Sequence, residues 1–362
     1  NKKIFKKVKK KILIFGAGAI GRGFIAPLFY NKKYEIYFAD IDEKLINSLN
    51  SAKKYLVGVT EKNNYLKKEI IFEKAFNLKK DKINFSNFDI AFSCVGPSNC
   101  YKNIDYYKKC KILISCENDI DTVDKIKELT RNKNIFFGIP DVITSNTAPR
   151  DFLKLDKLSL ISEKGILVVE KNKFNFPFPI KAVSKEFLLK HWICKLYIHN
   201  APHAVAAYLG NLKKLKFIHD AMENKKINKI VKGCINEITE GLIITNTVDK
   251  SFAKYYMNKE LIRFSNKKLF DPISRVAREP LRKLGKKNRL VRAISVGMFC
   301  KKKPINCAKG IMAAINYYDI NDEESKHMRL LINNFGKRYI LEKVCGFEDN
   351  EPLIKFCLNQ KI

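Results

Sequence analysis

The chain has 362 residues, 46% of them hydrophobic, which suits two domains with full cores and excludes a disordered polymer. Its formal charge is +33, from 70 basic against 37 acidic side chains. The lysines are scattered, with no aromatic-interleaved repeat and no nucleic-acid motif. The charge therefore reads as a biased composition on solvated surfaces rather than a nucleic-acid groove or a basic membrane helix, with a general attraction for anions as a side effect.

Asn1–Lys11 is basic and Ile12–Tyr30 is rather apolar, a superficial likeness to a secretory leader. Arg22 and the glycines at 16, 18, 21 and 23 break that run, so the basic start is expected to be an exposed tail. No other segment approaches 18 uninterrupted apolar residues, and no membrane span is expected. Ten cysteines lie scattered without a Cys-x-x-Cys pair or zinc-finger spacing. Reduced, mostly buried thiols in a cytoplasmic protein are the expectation.

Lys11-Ile-Leu-Ile-Phe15 suits a buried parallel strand. It runs into Gly16-Ala17-Gly18-Ala19-Ile20-Gly21 and then a helical pattern through Phe29. That is the strand, glycine turn and helix of a dinucleotide fingerprint. Gly16 allows the tight turn, Gly18 lets a pyrophosphate approach the backbone, and Gly21 lets the helix pack close. A second strand, Glu35–Ala39, ends at Asp40. A carboxylate there accepts from ribose hydroxyls and repels a 2′-phosphate, which favours NAD over NADP. Arg22 faces either the cofactor phosphates or solvent.

Two further strands, Asp89–Cys94 and Lys111–Ser115, end in Val95-Gly96-Pro97 and Cys116-Glu117-Asn118. Ligands bind at that edge of an open α/β sheet. Asn118 either points toward the nicotinamide or caps the helix that follows. Ile166–Glu170 is one more strand, and Pro177 and Pro179 mark a connection. From about Phe187 the pattern is helical, over 203–224, 227–244, 252–264, 307–318 and 325–342. The fold class is thus α/β: a Rossmann-like, doubly wound sheet domain over 1–186, then a mainly α-helical substrate domain over 187–362. The site is expected in the cleft between them.

Lys195, Asn200 and His203 place an amine, an amide and an imidazole within nine residues. On a regular helix Lys195 and His203 lie about 80° apart, with Asn200 about 60° beyond His203. Pro202 disturbs a regular helix, and the alternative has Asn200 capping a new helix with Pro202 in its first turn. The role of His199 is open.

Taken together, four stretches resemble the polyol-specific long-chain dehydrogenase/reductase family. They are Phe15–Ile25 with Phe38-Ala-Asp40; Val95-Gly-Pro97 with Ser115–Asn118; Lys195 to Ala204 continuing to Gly210; and Arg275–Leu284. The resemblance spans nearly the whole chain. It implies metal-independent, NAD-linked hydride transfer on a sugar alcohol, with Lys195 as general acid/base. It also implies Asn200 and Asn118 as an oxyanion hole and His203 orienting the lysine or the substrate. The chain departs from the family at Val142, where an arginine is usual, and at Pro202, where glycine is common.

Lysine outnumbers arginine 59 to 11, yet six of the arginines fall within Arg263–Arg292. Guanidinium groups grip phosphate or carboxylate bidentately. Arg278, Arg282 and Lys283 are the candidates for an anionic sugar substrate, a phosphate ester first. The competing reading pairs these arginines with Asp271 and Glu279. The same fold with a free polyol or a hexuronate, or a non-catalytic nucleotide- or nucleic-acid-binding protein, are the alternatives. No specific nucleic acid, membrane or metal is expected as a partner.

Overall fold

The alternation of short apolar runs with helical periods over the first half predicts a parallel sheet, and the computed structural model has one. It describes residues 9–30, 34–61, 64–117, 119–147 and 156–362. The chain divides into two compact units, Asn1–Leu188 and Leu189–Ile362.

Twelve strands are found among the described residues, all in the first unit. They are β1 (Lys10–Phe15), β2 (Tyr34–Asp40), β3 (Lys54–Thr60), β4 (Tyr65–Ile71), β5 (Lys74–Asn77), β6 (Ile90–Ser93), β7 (Leu113–Ser115), β8 (Ile135–Pro140), β9 (Thr144–Ser145), β10 (Leu160–Glu163), β11 (Leu167–Glu170) and β12 (Ile180–Val183). The main sheet runs β12-β11-β8-β7-β6-β1-β2-β5. Its parallel part, β5-β2-β1-β6-β7-β8, has the order 3-2-1-4-5-6 of a dinucleotide-binding fold. The chain order reverses between β1 and β6, so the two loops that carry the sequence motifs flank the switch point.

A second sheet, β4-β3-β10-β9, lies outside the sequence expectation. The strand predicted at Ile166–Glu170 is found as β11, antiparallel to β8. Ile12, Ile14, Phe29, Phe38, Phe92 and Ile114 are fully buried in the core of this unit.

The second unit is helical, as expected, but its helices differ in detail. The helix predicted over 203–224 is two helices, Ala201–Leu212 and Ile218–Glu223. The chain leaves the first at Leu212 because the segment after it pairs elsewhere. Ile218 N donates to Asp271 O at 2.9 Å, and Ile273 N donates to Lys216 O at 3.0 Å. Two backbone hydrogen bonds around a Phe217–Pro272 bridge outweigh the continuation of one helix. The helix predicted over 325–342 runs Glu323–Tyr339, but Gly336 at φ +80° interrupts it. Helices Arg289–Gly297 and Glu351–Leu358 are additional.

The small residues of Ala201–Leu212 let neighbouring helices come close. A Cβ at Gly210 would stand 2.5 Å from Ile273 Cδ1. No helix among the described residues is long and apolar enough to cross a membrane. The ten cysteines are free, and all but the half-buried Cys94 are buried.

Candidate functional site

The glycine turn begins where β1 is squeezed between its neighbours. Gly16 has φ +87°, its N–H donates to Ala39 O at 2.9 Å, and a Cβ there would lie 2.5 Å from Cys94 O. Only glycine meets both demands. A Cβ at Gly21 would come 2.1 Å from Gly16 O, so the helix packs directly on the turn. Gly18 is different: it is exposed and a Cβ would meet nothing within 4 Å. The protein's own packing does not require glycine there. Ala19 and Ile20 open the helix, half-buried.

Asp40, at the end of β2, reaches back to this turn. Its Oδ2 accepts from Ala17 N at 2.7 Å and its Oδ1 from Asp42 N at 3.0 Å. Arg22 meets neither of its expected environments. It is buried, its Nε donates to Ala17 O at 2.5 Å, and Nη1 donates to Leu158 O. The guanidinium lies 5.7 Å from the Tyr55 ring, and the Tyr55 hydroxyl donates to Arg22 O at 2.8 Å. Burial lowers the Arg22 pKa, against the opposing pull of Tyr55, Asp156 and Asp40. Arg22 therefore ties the glycine turn to the second sheet.

Across the switch point, Val95 and Gly96 are organised by Glu117. Its Oε1 accepts from Val95 N at 2.9 Å and from the Ser93 hydroxyl at 2.7 Å, and its Oε2 from Gly96 N at 2.8 Å. Gly96 is at φ +89° with open space where a Cβ would be. The helix after β7 is capped by Asp119, which accepts from Thr122 N at 3.2 Å, so that helix has a cap other than Asn118. Asn118 itself lies outside the described residues. Val142, where the resemblance implies an arginine, is buried against Gly165, at which a Cβ would stand 2.2 Å from Val142 Cγ1.

Helix Lys185–Cys194, within which the second unit begins, continues through a π-turn, Lys195–Asn200, into Ala201–Leu212. Asn200 has helical dihedrals and makes no capping bond, which removes the reading of Asn200 as a cap. A π-turn takes up one extra residue, a phase change of about 100°. Lys195 and His203 then fall within roughly 20° of each other, with Asn200 about 40° to the other side. The wider turn also relieves the clash of a proline ring with the carbonyl four residues back, so Pro202 is accommodated.

All three side chains are buried: Lys195 is 4% exposed, Asn200 5% and His203 8%. Asn200 Nδ2 has no hydrogen-bond partner among the described residues. A buried donor without an acceptor is costly, and such groups mark places built for something else.

Two carboxylates anchor the imidazoles. His203 Nε2 lies 2.7 Å from Asp271 Oδ2, and its ring stacks on Phe264 at 5.0 Å and 6°. His199 Nδ1 lies 2.5 Å from Glu260 Oε2. Burial outweighs the raising effect of Glu260 and pushes the His199 pKa down to about 4. For Glu260 burial acts upward, but His199, Arg263 and Lys259 prevail and hold it at about 2. Asp271 is likewise kept well below the usual carboxylate range, because Arg275 and His203 outweigh burial.

Much of the arginine cluster is already engaged. Arg263 pairs with Glu260 at 2.8 Å, Arg275 with Asp271 at 2.5 Å and Arg282 with Glu279 at 2.5 Å. The Lys283 ammonium donates to the carbonyls of Val276, at 2.8 Å, and of Arg278. Burial, reinforced by Arg289 and Arg282, lowers the Lys283 pKa strongly. Arg278 is exposed and makes no ion pair among the described residues.

Residues 10–85 match the model of the mannitol dehydrogenase Rossmann domain, and residues 188–341 that of the mannitol dehydrogenase C-terminal domain. A protein of Caldanaerobacter subterraneus subsp. tengcongensis named mannitol-1-phosphate 5-dehydrogenase is 31% identical over 95% of this chain and 96% of its own length. The chain belongs to the mannitol dehydrogenase family. A protein of the same name from Buchnera aphidicola subsp. Schizaphis graminum is 30% identical, with 97% of each chain covered. Among solved structures, Pseudomonas fluorescens mannitol 2-dehydrogenase, a ternary complex with NAD and D-mannitol, superposes with TM-score 0.73 at 13% identity. The match covers 97% of this chain and 94% of that one. At that identity the likeness concerns the fold. Membership makes this chain an oxidoreductase of the mannitol dehydrogenase family.

Sequence reasoning missed Glu117 and Glu260 and left Asp271 as a mere arginine partner. Glu117 carried one usable signal, an acidic residue just past the end of a buried strand. Glu260 and Asp271 carried none, since each meets its histidine across more than a helix of intervening chain.

Proposed function

We propose that this protein interconverts D-mannitol 1-phosphate and D-fructose 6-phosphate with NAD as hydride carrier. The names of the full-length relatives supply the substrate. The observation that carries the chemistry is the orphaned Asn200 Nδ2, buried on one helical face with Lys195 and His203. The open space over Gly18 and Gly96 fits a dinucleotide lying against the backbone. Gly16, Ala17, Gly18, Ala19, Ile20 and Gly21 would hold its pyrophosphate, Asp40 the adenosine ribose, and Val95 and Gly96 the opposite edge. Bound NAD supplies the acceptor or donor of hydride at the carbinol carbon.

Lys195 takes the hydroxyl proton in the oxidative direction and returns it in the reductive one. A general base must be neutral when it accepts the proton. Asn200 Nδ2 donates to the oxygen as alkoxide charge develops, with Asn118 as the second amide implied by the family. Arg278, the exposed member of the cluster's candidate trio, grips the phosphate, and Arg282 and Lys283 join it only by giving up the partners they have here. A free polyol is the second reading, favoured by the ion pairs that already occupy Arg263, Arg275 and Arg282.

The test follows NADH absorbance with fructose 6-phosphate and fructose offered in parallel. Oxidation with the phosphorylated sugar alone is expected. Turnover of fructose alone would move the assignment to the second reading. Lys195→Ala is expected to lower kcat by about 10²- to 10⁴-fold, the usual contribution of a general acid/base.

A further inference from the structure

The His203–Asp271 pair has a feature that the roles above do not use. Asp271 is 3% exposed, and its Oδ1 is taken by Arg275 Nη2 at 2.5 Å while its Oδ2 faces His203 Nε2 at 2.7 Å. Its backbone is fixed as well, by the Ile218 N–H on its carbonyl at 2.9 Å. A carboxylate held ionised can only accept. The hydrogen of a neutral His203 therefore sits on Nε2, and Nδ1 is left as an acceptor. Stacking on Phe264 fixes the plane of the ring, so the carboxylate selects which nitrogen is which. Among the described residues Nδ1 has no hydrogen-bond partner. The neighbouring His199, whose ring lies 5.0 Å away, is anchored through the opposite nitrogen, Nδ1.

Three residues before His203 stands the orphaned donor of Asn200. Residues three apart are neighbours on a helix, so the donor of Asn200 and the acceptor of His203 belong to adjacent positions. A ketone oxygen accepts from the first, and a hydroxyl on the adjacent carbon donates to the second.

We propose that Asp271 is a positioning residue that fixes His203 as the Nε2–H tautomer, so that Nδ1 accepts a hydroxyl vicinal to the reacting carbon. The substrate class this selects is an α-hydroxy ketone and its vicinal diol; its kinetic part rests on the function proposed above. Asp271→Asn presents an amide that can donate to Nε2, which reverses the tautomer without removing the side chain.

Nitrogen-15 NMR of the histidine-labelled full-length protein reads the tautomer without substrate. A bare Nδ1 and a protonated Nε2 on His203 are expected, and a protonated Nδ1 in the unsubstituted protein overturns the proposal. In Asp271→Asn the proton is expected to move to Nδ1. With it, kcat/KM for fructose 6-phosphate should fall roughly a hundredfold or more, while NADH affinity stays within about twofold. Asp271→Glu, which keeps a carboxylate, is expected to recover part of the loss. An unchanged kcat/KM with a reversed tautomer overturns the proposal too. A wild-type protein inert toward fructose 6-phosphate counts against the assigned reaction, whereas the tautomer still decides the role of Asp271.

Discussion

His199 and Glu260 meet where water does not reach, and their partnership makes stability depend on pH. The unfolded histidine takes a proton as pH falls below about 6.5, whereas the folded one refuses it until about 4. The unfolded state thus binds more protons across that window, and stability falls as pH is lowered through it. Glu260 acts in the same direction: its contribution is full above about 4.5 and is lost as pH falls through about 2. Between pH 7 and 4 we expect a loss on the order of a few kcal/mol, read from urea midpoints. His199→Asn keeps a donor for Glu260 but has no basic nitrogen, so its midpoint should fall less steeply. An equal slope in both proteins would assign the pH dependence to other groups.

The glycine turn and the π-turn show two ways in which local backbone serves a site. At the glycine turn the structure separates glycines that the fold needs from one that it does not. Gly16→Ala forces a Cβ against Cys94 O at a positive φ, and a stability loss of roughly 3 kcal/mol or more is expected in urea unfolding. Gly18→Ala meets no neighbour, so stability should change by less than about 1 kcal/mol. Its NADH affinity, followed by fluorescence titration, should nonetheless fall at least about tenfold, because the methyl occupies the approach path of the pyrophosphate. A Gly18→Ala protein that binds NADH normally would place the cofactor elsewhere. At the π-turn one extra residue rotates Lys195 onto the face of His203 and Asn200, which a regular helix would spread wider.

Over the molecule as a whole, the charge of +33 has a consequence that no single contact carries. A strongly positive protein raises the local concentration of anions, and that effect is screened over about 10 Å at 0.1 M salt. The KM for fructose 6-phosphate should therefore rise as salt goes from about 0.05 to 0.5 M, with kcat little changed. The KM for an uncharged polyol or ketose should hardly move. A salt-independent KM for the phosphorylated sugar would mean that short-range pairs alone set its binding.

The sequence alone determined the parallel sheet, the glycine turn, Asp40 and the Lys195-Asn200-His203 spacing, because each is written in neighbouring residues. Strand and helix periods, and the distance from a turn to the next strand end, are local properties of the chain. The tertiary structure decided the rest. It placed Arg22 under the turn, and it gave three of the six clustered arginines carboxylate partners. It also joined His199 to Glu260 across 61 residues and His203 to Asp271 across 68. Pairings over such separations leave no periodic trace, and they form only when packing excludes water and makes an unpaired charge too costly to leave. The broken helix at Leu212 has the same origin, since the segment after it bonds to Asp271 and Ile273, on either side of Pro272.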